Sequence, residues 1–200
     1  MNDLNLFNIF KKIELEKKVY VIKNYFESNF TWEDAVSLLD IYSKKEIKTF
    51  IDILDRKDMG IIKGEVLHRP IGFFQFSIEM PLEKKYDYIN KVVSKLFKNL
   101  NHGIVGKIFG QIFMNITGLD YTSGAHRDNW GLFYVQLLGE VKWDILDDNL
   151  NIVQSKILRP GDVLLMPKGV RHEVIPLTPR VSLSVGVNSV EGTYLEYIEE

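Results

Sequence analysis

Two spacings of apolar residues divide the chain. Up to about residue 105 the apolar positions mostly follow a helical repeat, and from residue 106 they gather in short β-branched runs. Leu4, Phe7 and Phe10 predict a short amphipathic helix, and Val19–Ile22 predicts a strand. Thr31-Trp-Glu-Asp34 has the form of a capping box, so a helix should start there and run to about Leu39. Ser43–Leu54 reads as a second helical stretch. Gly60–Ile78 reads as strands with a turn at Arg69–Gly72. Tyr86–Leu100 carries Tyr86, Ile89, Val92, Val93, Leu96 and Phe97 on one helical face.

Beyond that helix the pattern predicts strands at Lys107–Ile116, Leu132–Leu138, Glu140–Ile145, Val163–Met166, His172–Ile175 and Val181–Val187. Turn signals separate them at Gly118, Gly139, Asp147-Asp148-Asn149, Pro160-Gly161-Asp162 and Thr178-Pro179. Many short strands at even spacing predict a closed or double-sheet β structure. The expected fold is mainly β with flanking helices, a small jelly-roll barrel. Residues 106–190 should form the barrel, residues 1–105 should pack on it, and 1–200 should form one domain.

Composition narrows the function. The chain has 200 residues, 46% hydrophobic and 26% charged, which is ordinary for a globular protein. Its net charge of -2 gives no basic excess for nucleic acid. The absence of Cys excludes disulfides, thiolate metal sites and a Cys nucleophile. No apolar run approaches the ~18 residues of a membrane span. The start of the chain lacks the basic-then-apolar pattern of a signal peptide, so the expected location is the cytoplasm. Histidine chemistry must draw on His68, His102, His126 and His172.

His126-Arg127-Asp128 sets a His and an Asp two residues apart. On a strand both side chains point to one face and could share a metal ion. Taken alone, the triplet is weak evidence and reads more readily as a surface salt bridge beside a turn. Gly161-Asp-Val-Leu-Leu-Met-Pro167-Lys-Gly169-Val-Arg-His172 is more specific. A tight turn, an apolar strand and a Pro-x-Gly turn lead to a strand opening on His172, which the turn should aim inward. His68 and His102 have no ligand partner at useful spacing and read as surface or turn residues. Trp32 and Trp143 read as core, and Trp130 as lining a pocket mouth and contacting substrate. Arg127 should face away from the ligands. The Lys-rich segments 11–18 and 44–48 read as solvated helix faces.

Gly161 to His172 resembles the second motif of the cupin superfamily, with Pro176 where an Asn usually closes it. The first motif is looser: Asp128 stands where a second His is common and Leu132 where a Glu ligand is common. The ligand set so implied is His126, Asp128 and His172, the two-His, one-carboxylate triad of non-haem Fe(II) oxygenases. Within the superfamily the chain looks most like the JmjC-type 2-oxoglutarate oxygenases. The matching residues are Ser123-Gly-Ala-His126-Arg-Asp128, Phe133 to Gly139 with Glu140-Val-Lys142-Trp143, Arg159 to Asp162, and Pro167 to His172.

The resemblance implies Fe(II) as metal, 2-oxoglutarate as co-substrate and a cation for its far carboxylate. The usual Lys position holds Val141, and Lys142 is one residue on, which turns a strand side chain to the other face. Arg180-Val-Ser182 resembles the Arg-x-Ser pair of other oxygenases of this barrel, and Arg180 is preferred to Lys142. Ser123, Tyr134 and Ser182 are the expected hydroxyl partners. The function implied is hydroxylation of a peptide or protein side chain, or of a small amino-acid-like substrate, with release of succinate and CO2. The alternatives are a metal cupin enzyme (dioxygenase, isomerase or lyase) that does not use 2-oxoglutarate, and a non-catalytic barrel module. A homodimer fits either kind of barrel.

Overall fold

Two antiparallel sheets carry the molecule, a six-stranded one ordered β1-β8-β5-β10-β3-β2 and a four-stranded one ordered β4-β9-β6-β7. The computed structural model describes residues 9, 12–13, 15–45, 73–80, 87–97, 108–116 and 124–187. The strands are β1 (Tyr20–Ile22), β2 (Phe73–Met80), β3 (Ile108–Asn115), β4 (His126–Arg127), β5 (Gly131–Leu138), β6 (Val141–Leu146), β7 (Ile152–Leu158), β8 (Val163–Met166), β9 (Arg171–Pro176) and β10 (Arg180–Val187). Helix α1 spans Trp32–Lys45 and helix α2 spans Asp87–Phe97. From β3 onward the chain passes back and forth between the sheets, save for the β6–β7 hairpin, which is the jelly-roll, cupin-like arrangement.

The centre of the six-stranded sheet is buried on both faces, so β5 is buried continuously from Gly131 to Leu137 and is apolar there apart from Gln136. Phe133, Val135 and Leu137 join Val181, Leu183 and Val185 of β10 and Ile112 and Met114 of β3 against Leu38 of α1 and Ile89 and Val92 of α2. The alternate residues face the other sheet. There Leu132, Tyr134, Leu164 and Met166 meet Val141, Trp143, Ile145 and Val174. This second layer is the barrel interior. Gly139 makes the tight β5–β6 turn at φ 69°. A Cβ there would lie 1.9 Å from the Pro179 carbonyl oxygen, so no side chain fits.

The segment before β2 is tied to the barrel. β1 pairs with β8 from Tyr20↔Leu165 to Ile22↔Val163. The buried Asp162 carboxylate accepts from Lys23 Nζ at 2.7 Å, from the Asn24 backbone N–H at 2.9 Å and from the Arg159 N–H at 2.8 Å. Thr31 and Asp34 cap α1 reciprocally: the Asp34 N–H donates to Thr31 Oγ1 at 3.2 Å, and the Asp34 carboxylate accepts from the Thr31 N–H at 2.8 Å.

Several expectations change. Helix α1 continues to Lys45, past the expected end near Leu39. Trp32 is 39% exposed and not core, because Ala35 and Leu38 form the covered stripe and Trp32 lies on its flank. Strand β7 was not expected. It is an edge strand with Ile152 and Val153 exposed, so its sequence shows no buried alternation. β8 and β9 lie in different sheets, so the Pro167–Gly169 turn carries the chain across the barrel. The helix expected from Leu4, Phe7 and Phe10, the rest of Ser43–Leu54, the turn at 69–72, and His68, His102 and Ser123 lie outside the described residues. Among the described residues no helix is long and apolar enough to cross a membrane.

Candidate metal centre

β4 and β9 pair with His126 opposite His172, and His172 is in turn opposite Ile145 of β6. Residues opposite one another on paired strands share a face. Ile145 belongs to the interior layer, so both histidines project inward. Asp128 follows one step past β4 and returns to the same side. Arg127 points outward and pairs with Asp148.

The turn before β9 ties the two ligand segments together. Gly169, at φ 79°, donates its N–H to the Asp128 carbonyl at 3.0 Å. The left-handed conformation there suits Gly and turns the chain into β9, whose second residue is His172.

Both imidazoles are oriented by the backbone. His126 Nδ1 lies 2.9 Å from the Gly124 carbonyl and His172 Nδ1 lies 3.0 Å from the Val170 carbonyl. A carbonyl oxygen only accepts, so Nδ1 carries a proton in each ring and Nε2 is the atom turned toward the centre. Those Nε2 atoms stand 3.9 and 3.8 Å from the Asp128 carboxylate oxygens, too far for hydrogen bonds. The three ligand atoms lie within 4.8 Å of one another. An ion about 2.1 Å from two atoms spans up to about 4.2 Å between them, which covers the 3.9 and 3.8 Å pairs, and a separation near 4.8 Å would close by a few tenths of an ångström on binding.

Electrostatics favours the ligand forms. Burial, then the charge of His126, pushes His172 down to about 3, so its ring is neutral. Burial raises the Asp128 carboxyl while His126 pulls it the other way. A largely buried carboxylate facing two imidazole Nε2 atoms without a hydrogen bond to either is an arrangement that a divalent cation would satisfy. The donor set therefore fits a metal.

Trp143 backs the centre. Its ring stacks on His172 with centroids 4.9 Å apart and meets Tyr134 edge-on at 4.7 Å. Tyr134 leads to a second buried polar cluster. Arg180 Nη1 donates to the Tyr134 hydroxyl and, at 3.2 Å, to Ser182 Oγ. Arg180 Nε donates to Asn115 Oδ1 at 2.7 Å. Ser182 Oγ donates to Gln136 Oε1 at 2.9 Å, and Gln136 Nε2 donates to the Leu138 carbonyl at 2.6 Å. Arg180 is only 4% exposed, yet no carboxylate among the described residues pairs with it.

Lys142 lies elsewhere. Val141, Trp143 and Ile145 take the inward positions of β6, so Lys142 and Asp144 take the outward ones. There Lys142 Nζ pairs with Asp144 at 2.8 Å, and Asp144 also accepts from Ser155 at 2.5 Å. Trp130 is half-buried against the interior layer, and a Cβ on Gly186 would come within 3.3 Å of its ring.

Residues 110–195 match the JmjC domain. All three candidate ligands and Arg180 fall within that JmjC match. Among solved structures, the ribosomal oxygenase YcfD of Escherichia coli in complex with cobalt and 2-oxoglutarate superposes with a TM-score of 0.52 at 17% identity, over 90% of this chain and 50% of that one. YcfD in complex with cobalt and succinic acid gives 0.52 at 16% identity, again over 90% and 50%. The chain thus spans about half the length of these structures, and the likeness is one of fold. No curated protein sequence matches the chain.

The JmjC resemblance read from the sequence is therefore supported, as is the jelly-roll fold. Asn115 and Gln136 were missed, and so was the contact of Trp143 with His172. Their signal was present: a Gln inside Leu132–Leu138 and an Asn ending Lys107–Ile116 are polar residues in runs otherwise destined for burial.

Proposed function

We propose that the chain is an Fe(II)- and 2-oxoglutarate-dependent oxygenase. One observation carries this reading. A triad of metal-ligand type and a buried arginine without a carboxylate partner face the same barrel interior, linked through Tyr134 and Trp143. In the overall reaction one oxygen atom of O2 enters the substrate C–H bond as hydroxyl. The other enters succinate as 2-oxoglutarate loses CO2.

His126, Asp128 and His172 would hold the iron, and three protein ligands leave positions for the co-substrate. Bound iron would supply the redox chemistry that activates dioxygen. Arg180 would hold the far carboxylate, with Tyr134 and Ser182 as hydroxyl partners and Ser123 as a further candidate. Burial raises Tyr134, so its hydroxyl keeps its proton. The apolar walls would keep water from the reacting atoms. Trp130, beside the ligand segment, would contact the substrate.

A peptide or protein side chain is the favoured substrate, supported by the fold shared with a ribosomal oxygenase. A small amino-acid-like substrate is the alternative. Residues 1–105 would act as part of one domain with the barrel, supported by the β1–β8 pairing and the Asp162 ties.

The second reading, a metal enzyme of this barrel without 2-oxoglutarate, is favoured by the protein acceptors that Arg180 already has at Nε and Nη1. Anaerobic titration of Fe(II)-loaded protein with 2-oxoglutarate decides between them. A visible charge-transfer band saturating at one equivalent is the expected result. Iron binding without the band selects the second reading, and no iron binding rejects the metal centre.

A further inference from the structure

The Arg180 cluster contains more than an anchor needs. Asn115 on β3 stands directly opposite Arg180 on β10, so their side chains share the interior face. Asn115 Oδ1 takes the Arg180 Nε–H at 2.7 Å, which fixes the amide orientation. Its other atom, Nδ2, is buried and has no hydrogen-bond partner. Amide geometry keeps that N–H2 within about 5 Å of the guanidinium. Trp143 Nε1 is a second buried donor without a partner, on the ring that touches Tyr134.

Buried donors without acceptors are costly and uncommon in folded proteins. Here both belong to side chains lining one interior, beside a cation that has no carboxylate among the described residues. The shared deficit is one of acceptors and negative charge. An Asp at position 115 would present the same oxygen to Arg180 Nε and neutralise it internally. Asn gives the same support and adds no charge.

We propose that Asn115 is a positioning and specificity-determining residue: it orients Arg180 while leaving its charge for a ligand, and its free amide donates to that ligand's carboxylate. The site then selects a 2-oxo acid with a second carboxylate over a 2-oxo monocarboxylate. The proposal rests on the 2-oxoglutarate reading above.

The test is the binding of 2-oxoglutarate and of pyruvate to full-length Co(II)-loaded protein by calorimetry. The wild-type protein should bind 2-oxoglutarate more tightly. Asn115→Asp should weaken 2-oxoglutarate by roughly tenfold or more, the worth of a charge-assisted contact, and leave pyruvate and cobalt binding unchanged. Asn115→Ser keeps the measurement available if the Asp variant does not fold, and it should narrow the preference by a smaller factor. An unchanged ratio of the two affinities in the folded variant, or an equal loss of both ligands, overturns the proposal. A wild-type protein that does not distinguish the two acids overturns the anchor reading itself.

Discussion

In the four-stranded sheet, the imidazole Nε2 atoms stand 3.9 and 3.8 Å from the Asp128 carboxylate with nothing shared between them. In the six-stranded sheet, Arg180 reaches Asn115 at 2.7 Å and Ser182 at 3.2 Å, and it also bonds Tyr134. The first cluster turns lone pairs and a negative charge toward one point. The second turns donors and a positive charge into the same barrel. Burial explains why the difference matters, because a buried polar group must find a partner or destabilise the fold. On the proposed reading, the ligand cluster would gain its partner from a cation. The arginine cluster already has protein acceptors and is organised before any ligand arrives. One site is completed by binding; the other is built in advance and holds donors in surplus.

That contrast breaks most sharply at Asp128. Asp128→Ala should abolish cobalt or iron binding at concentrations that saturate the wild type, and with it succinate formation. The side chain is one-fifth exposed, so the fold should persist. Metal binding that survives would show that the triad is not the centre. Arg180→Met should separate the clusters: metal binding stays, and 2-oxoglutarate affinity falls roughly ten- to a hundredfold, measured by the charge-transfer titration. Lys142→Ala should leave both ligands unaffected and instead lower stability by about 1 to 2 kcal/mol in urea unfolding, because Asp144 then stays buried without its cation. Loss of 2-oxoglutarate binding in that variant would reverse the assignment of the two cations.

The ligand cluster was the more legible of the two in the sequence. Its residues fall in local patterns, His-x-Asp and the Pro-x-Gly turn before His172, whose geometry depends on neighbours a few positions away. The arginine cluster is non-local. Asn115, Tyr134 and Arg180 meet only because β10 lies between β3 and β5. A strand pattern does not state that order. Arg180 was found by resemblance, and Asn115 was not found. The choice between Arg180 and Lys142 depended on strand register. The alternation of Val141, Trp143 and Ile145 decides which way Lys142 points, and only the interior layer shows which face is inside. β7 escaped because an exposed edge strand has no buried side to give it a period.

The last expected effect is one of pH, and it again separates the clusters. His172 is held down to about 3 from an ordinary value of 6.5, first by burial and then by His126. Above that ordinary value the ring is neutral in both the folded and the unfolded chain. Below it the unfolded chain takes up a proton that the folded chain refuses. Metal-free protein should therefore lose stability as pH falls from about 6.5 toward 3, with a slope of up to about 1.4 kcal/mol per pH unit. Asp128 works against this in the acidic part of the range, since its raised carboxyl is protonated earlier in the folded state. The decline is thus clearest in the less acidic part of that window, read from urea midpoints of chelated protein. His172→Gln should flatten that decline. Arg180→Met should keep it, because burial raises Tyr134, the titrating neighbour of Arg180, from 10.0 and so away from this range. A decline that persists in the Gln variant would place the titrating group elsewhere in the barrel.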